Sequence, residues 1–95
     1  MTSKHEEYAT KMKAEIDALV ARIKTLQAKV HDAKLEARGT YQAELAKLRH
    51  QSKLAMTQLG KLKDAGEDSW DMMVAEMDKI RDAFKHSFNY FKSQL

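Results

Sequence analysis

The side chains that could do chemistry are few and scattered. The four histidines, His5, His31, His50 and His86, never fall three or four apart, so no two share a helical ligand spacing, and there is no His-Glu-x-x-His run. A fold-back at residues 64–69, argued below, would bring His50 near Asp82 and His86 near Leu45 and Glu44. One imidazole beside one carboxylate is a surface ion pair, because a metal centre needs three or four ligands. The chain has no Cys, which excludes disulfides and thiolate zinc sites. Ser52, flanked by His50 and Lys53, reads as a helical serine bonding back to the carbonyl four residues earlier. A nucleophile would also need a base on its own face and an oxyanion pocket, which a seam of helices does not supply. Six methionines, Met72, Met73 and Met77 among them, sit at helical spacing among Phe and Trp and read as core filling rather than soft-metal ligands. No glycine-rich phosphate loop exists, and the paired Glu6-Glu7 lie on a solvated end. The expectation is a non-enzymatic protein without catalytic residues, metal or cofactor.

The elements that carry these residues are helical. Charged residues make up 33% of the 95 positions and aromatics 7%, with no Pro and three Gly. Little in that composition punctuates strands or interrupts helices. The length allows one domain at most.

The stretch Asp64-Ala65-Gly66-Glu67-Asp68-Ser69-Trp70 organises the rest. Gly66 is the residue that can end a helix in the left-handed conformation, and Asp68 or Ser69 can cap the next one. Lys61 and Lys63 before the turn, and Glu67, Asp68 and Asp71 after it, suit the two helix dipoles. Apolar positions equidistant from Gly66 then pair: Leu62 with Trp70, Leu59 with Met73, Ala55 with Met77, Ser52 with Ile80, Leu48 with Phe84 and Tyr41 with Phe91. Leu45 and Phe88 miss this register by one. Small residues fall opposite large ones, as close packing requires. Residues 41–91 are therefore predicted to form an antiparallel helical hairpin, with Met72 and Tyr90 on the outer face.

Before the hairpin, Met12, Ile16, Leu19, Ile23, Leu26 and Val30 alternate in steps of four and three, a heptad seam. Past Val30 the steps run three, four, four and four through Ala33, Ala37 and Tyr41 to Leu45, which unwinds a supercoil. Gly39 lies here, and a break at 38–40 is the alternative to a continuous helix. The continuous reading is favoured because no Pro or capping cluster supports a stop. The expected organisation is a frayed 1–7, a long amphipathic helix over 8–63, a turn over 64–69 and an aromatic-rich helix over 70–93. The fold class is thus all-α: a coiled-coil hairpin with one very long helix, about 90 Å, and a shorter returning one, about 35 Å. The mismatch leaves the Met12–Val30 seam uncovered, which predicts self-association, a dimer first.

Charge is arranged in blocks. Lys47, Arg49, Lys53, Lys61 and Lys63 precede the turn with no acid among them, and Asp64, Glu67, Asp68, Asp71, Glu76 and Asp78 follow with no base. Folded back, the blocks would neutralise each other and select orientation more than they stabilise. The first residues hold no apolar run that reads as a secretory signal, and no stretch reaches the ~18 apolar residues of a membrane span. A cytoplasmic or membrane-peripheral location is expected.

Ala14-Glu15-Ile16-Asp17-Ala18-Leu19, Tyr41-Gln42-Ala43-Glu44-Leu45 and Ala65-Gly66-Glu67-Asp68-Ser69-Trp70-Asp71 carry a resemblance to small bacterial coiled-coil proteins of cyanobacteria and proteobacteria, described as stress-response proteins. The likeness covers roughly residues 8–91, and its most specific part is the Ala-Gly-Glu-x-x-Trp turn. The chain departs from that family at Arg81, where a second aromatic is frequent, and at Gly39, where a helix former is common. The family brings no catalytic residues and no defined activity, so the resemblance implies a stress-related coiled-coil module. A looser likeness to apolipoprotein-type helices rests on amphipathicity alone.

Function follows as an expectation of class. The first reading is a structural or adaptor protein that self-associates and binds a larger protein complex. The alternative is a membrane-surface protein whose aromatic stripe over 70–91, with Lys79, Arg81, Lys85 and Lys92 nearby, lies on lipid. A minor alternative is nucleic-acid binding through the basic 45–63 face, weakened by the lack of exposed aromatics there and by the adjacent acid block.

Overall fold

The computed structural model describes residues 4–95 as helices α1 (Lys4–His31), α2 (Leu35–Asp64) and α3 (Glu67–Gln94), with no strand among the described residues. Glu6 and Glu7 open α1, and Lys29 and His31 close it, so each end carries the charge its dipole favours. The expectation of fraying over 1–7 falls partly outside the described residues; Lys4–Glu7 are helical.

The long helix over 8–63 does not form. The chain turns at 32–34, ahead of Gly39, which lies inside α2. Asp32 N–H bonds to Ala28 O at 3.2 Å, Ala33 N–H tightens onto Val30 O at 3.0 Å, and Lys34 is extended at φ −59°, ψ 143°. No glycine is needed, because the backbone leaves the helix through ordinary β space. The energetics explain the break. A continuous helix would leave Met12, Ile16, Leu19, Ile23, Leu26 and Val30 in water. Burying such side chains contributes about 1.5–3 kcal/mol each, against a net ~1 kcal/mol for each of the few helical hydrogen bonds lost at the turn.

Accordingly, α1 folds back along α2, and the molecule measures 51 × 22 × 18 Å, far short of a 60-residue rod at about 1.5 Å per residue. α1 and α3 run parallel to each other, since contacts climb together on both: His5 with Trp70, Tyr8 with Asp78, Glu15 with Arg81 and Arg22 with Phe88. The result is an up-down-up three-helix arrangement. Ile16 from α1, Leu48 and Leu62 from α2, and Met77, Phe84, Phe88 and Phe91 from α3 are the largest side chains fully enclosed.

The second turn also differs in detail. Gly66 is the N-cap of α3 at φ −79°, ψ 173°, not left-handed, and neither Asp68 nor Ser69 caps the helix. Both lie inside its first turn, which begins at Glu67 rather than Trp70. Ser69 N–H bonds to Gly66 O at 3.2 Å. A two-residue link of extended Ala65 and Gly66 reverses the chain, so neither a positive φ nor a side-chain cap is required.

Candidate functional site

The predicted hairpin residues are enclosed or half-enclosed, and one of their predicted pairs, Tyr41 with Phe91, is in contact. Leu45, Leu48, Leu59, Leu62, Met77, Phe84, Phe88 and Phe91 are buried, with Tyr41, Trp70, Met73 and Ile80 half-buried against them. The Tyr41 and Phe91 rings meet at 5.8 Å between centroids. Tyr41 also donates its hydroxyl to Gln94 O at 3.2 Å. Along one flank, Gln51 Nε2 donates to Ser87 Oγ at 3.1 Å, and Gln58 Nε2 donates to Glu76 Oε2 at 3.2 Å. These two glutamines, seven residues apart, lie on one face of α2 and tie it to α3.

Met12, Ile16, Leu19, Ile23, Leu26 and Val30, expected to face a second copy, are 0–8% exposed within the single chain. Their partners are α2 and α3 of the same molecule. The premise for a dimer, an uncovered seam, is therefore removed.

Across α1 and α3 runs a polar cluster that the sequence did not announce. Tyr8 Oη donates to Asp78 Oδ1. Arg81 Nη1 reaches Glu15 Oε2 at 2.6 Å, its Nε reaches Asp82 Oδ1 at 2.7 Å, and its Nη2 stands 3.8 Å from Asp78. Burial, then the hydrogen bond to Asp78 and that residue's charge, push the Tyr8 hydroxyl well above its ordinary value. The hydrogen bond to Glu15 leads in raising the Arg81 pKa further. Both effects hold these groups in the protonated forms that bridge the helices. Nearby, His5 stacks on Trp70 at 3.8 Å and 11° between planes, and Tyr8 meets Trp70 edge-on at 5.9 Å. The Arg22 guanidinium lies 4.8 Å above the Phe88 ring.

Ser52 Oγ donates to Arg49 O at 2.9 Å, a back-bond to the carbonyl three residues earlier rather than the expected four. Asp82 is paired with Arg81, not with His50, and His50 and His86 are exposed. Among the described residues no group of three His, Cys, Asp or Glu could hold a metal, and no helix is long and apolar enough to cross a membrane.

The charge blocks do not neutralise by contact. Among the described residues, Lys47, Arg49, Lys53, Lys61 and Lys63 form no ion pair, while Asp78 and Glu76 are taken up by Tyr8, Arg81 and Gln58. The five cations are exposed together with Leu54 and Met56, so α2 presents a basic, partly apolar outer face. A groove of about 800 Å³ opens beside it, between the C-terminal half of α1 and the N-terminal half of α2. A smaller one of about 420 Å³ lies at the opposite end, against Trp70, His5 and Leu62.

Fold and surface together give a three-helix chain with exposed cations along the outer side of α2. Comparisons with known protein families, with curated proteins and with solved structures give no match.

Proposed function

We propose that the chain is a non-enzymatic adaptor that docks through the outer face of α2 onto an acidic surface of a larger protein complex. The observation that carries this reading is the set Lys47, Arg49, Lys53, Lys61 and Lys63, exposed and without an ion pair among the described residues, with Leu54 at 46% and Met56 at 43% exposure on the two flanks of that face. Free cations steer an acidic partner into place and set register, while the apolar pair supplies contact area that charges alone do not. Met tolerates partners of varied shape. The setting in bacterial stress implied by the Ala65–Asp71 turn fits a binding module, since the chain offers no constellation for turnover.

The lipid reading asks more of the molecule. Phe84, Phe88 and Phe91, which would have to face lipid, are at most 1% exposed, so membrane insertion would open the core. Nucleic acid would use the same lysines for phosphates, but no exposed aromatic stands among them for bases to stack on.

The experiment places a photo-crosslinking residue at Thr57, on the outer face of α2, in cells of the source organism. A discrete cross-linked protein that disappears with Lys53→Glu/Lys61→Glu supports the reading. A chain that yields no cross-link and fractionates as a free 10.9 kDa species overturns it.

A further inference from the structure

We infer that the groove between α1 and α2 binds a phosphate-bearing anion of small-molecule size, a site that shares only Arg49 with the docking face and is testable on the purified chain. Its walls are two polar stripes. Lys24, Gln27 and His31 follow one another at steps of three and four along α1, and Arg38, Gln42 and Arg49 lie on one face of α2. Val30 and Leu45, both buried, form an apolar floor. The volume, about 800 Å³, falls within the range of small-ligand sites.

The electrostatics select an anion. Lys24, Arg38 and Arg49 line the groove against the single carboxylate of Asp32, and none of the four forms an ion pair among the described residues. Three cations against one carboxylate around one concavity leave a net positive potential focused into it.

Arg38 is the most telling member. Its Nη2 donates to His31 O at 3.0 Å, which satisfies a carbonyl at the end of α1 and anchors the guanidinium at the groove. Its Nε is enclosed yet has no acceptor. Enclosed donors are nearly always paired in folded proteins, and charged ones most of all. A guanidinium that lines an open basic groove and carries an unspent donor is suited to an oxyanion supplied from outside, toward which a shift of the side chain would turn that donor. Phosphate matches it better than a lone carboxylate, because its several oxygens can engage Arg38, Arg49 and Lys24 together. Gln27 and Gln42 add neutral donors, and the floor of Val30 and Leu45 accepts the ligand's apolar portion.

The test titrates inorganic pyrophosphate into the labelled full chain at about 0.15 M salt and follows backbone amides by NMR. Saturable shifts confined to the 24–49 region are expected. Lys24→Gln/Arg49→Gln, whose wild-type side chains make no ion pair, should keep its helicity by circular dichroism and weaken binding about tenfold or more. Lys79→Gln on α3 should stay within about twofold. A parallel arm uses vesicles of phosphatidylcholine with and without phosphatidic acid. Pelleting with phosphatidic acid that the double variant abolishes and pyrophosphate competes away supports the same site with a lipid headgroup as the source. Shifts spread over all basic residues, or equal weakening by Lys79→Gln, would overturn the assignment. So would silence in both arms.

Discussion

The Tyr8 hydroxyl donates to Asp78 Oδ1 across 70 positions of sequence and joins the first helix to the last. Asp78 also faces Arg81, so the bond belongs to a cluster that fixes the order and direction of α1 against α3. Tyr8→Phe removes the hydroxyl and leaves the half-exposed carboxylate to Arg81 and water. The expected loss is about 1–2 kcal/mol in urea unfolding near neutral pH. The pH dependence has a definite sign. The folded-state pKa of Tyr8 lies above its unfolded value, so the contribution is complete below about pH 10 and is lost as pH rises past it. Wild type should therefore lose more stability than Tyr8→Phe between about pH 8 and about pH 11. Parallel curves for the two proteins would show that the hydroxyl carries none of this coupling.

Arg81 holds Glu15 at 2.6 Å and Asp82 at 2.7 Å. The Asp82 pair is local to α3, whereas the Glu15 pair ties α3 to α1. A double-mutant cycle of Arg81→Gln and Glu15→Gln should give a coupling of about 0.5–1 kcal/mol, small because both side chains keep contact with water. Raising the salt to about 1 M should shrink it. A coupling at zero at low salt would mean that the two charges are merely adjacent.

The hairpin was legible because its evidence is local and symmetric. Apolar residues mirror one another around Gly66, and no other register pairs Tyr41 with Phe91. The first turn was not. Asp32-Ala33-Lys34 offers neither Pro nor Gly nor a side-chain cap, and the nearby Gly39 drew attention to the wrong place. The seam from Met12 to Val30 is legible as a buried one, but the chain that covers it is not, and within the single chain α2 and α3 do so. A heptad pattern records that a helix has an apolar partner and is silent on whose chain supplies it. The Tyr8–Asp78 and Glu15–Arg81 contacts depend on that docking, so they stayed hidden with it. The unpaired Arg38 Nε is a fact of three dimensions with no counterpart in spacing.

Gly39 and Gly60 lie within α2 at negative φ, exposed, and a Cβ built on either meets nothing within 4 Å. Helical glycine costs about 1 kcal/mol relative to alanine, through backbone entropy. Gly39→Ala and Gly60→Ala should each stabilise by up to about 1 kcal/mol, and together nearly additively, since the sites are distant. Thermal unfolding followed by circular dichroism reads this directly. Destabilisation by Gly39→Ala would indicate that α2 breaks at 38–40 after all.

The last prediction concerns mass in solution. An uncovered heptad seam would drive two chains together, but here that seam is enclosed by α2 and α3, with Ile16 at 0% and Val30 at 2% exposure. Of the exposed large apolar side chains, Leu54 and Met56 lie on α2, Met72 and Tyr90 on α3 and Leu95 just past its end, so they form no single patch. Single apolar residues of this kind are ordinary on monomer surfaces. Light scattering should return the mass of one chain, 10.9 kDa, at concentrations where helicity is complete. Ile16→Asp separates the two arrangements further. In a closed three-helix molecule it buries a charge in the core and unfolds the chain with no dependence on concentration. In a dimer built on the α1 seam it would dissociate the pair and leave a helical 41–91 hairpin behind. A wild-type mass of two chains, lost with Ile16→Asp while the hairpin stays folded, would return the seam to a second copy.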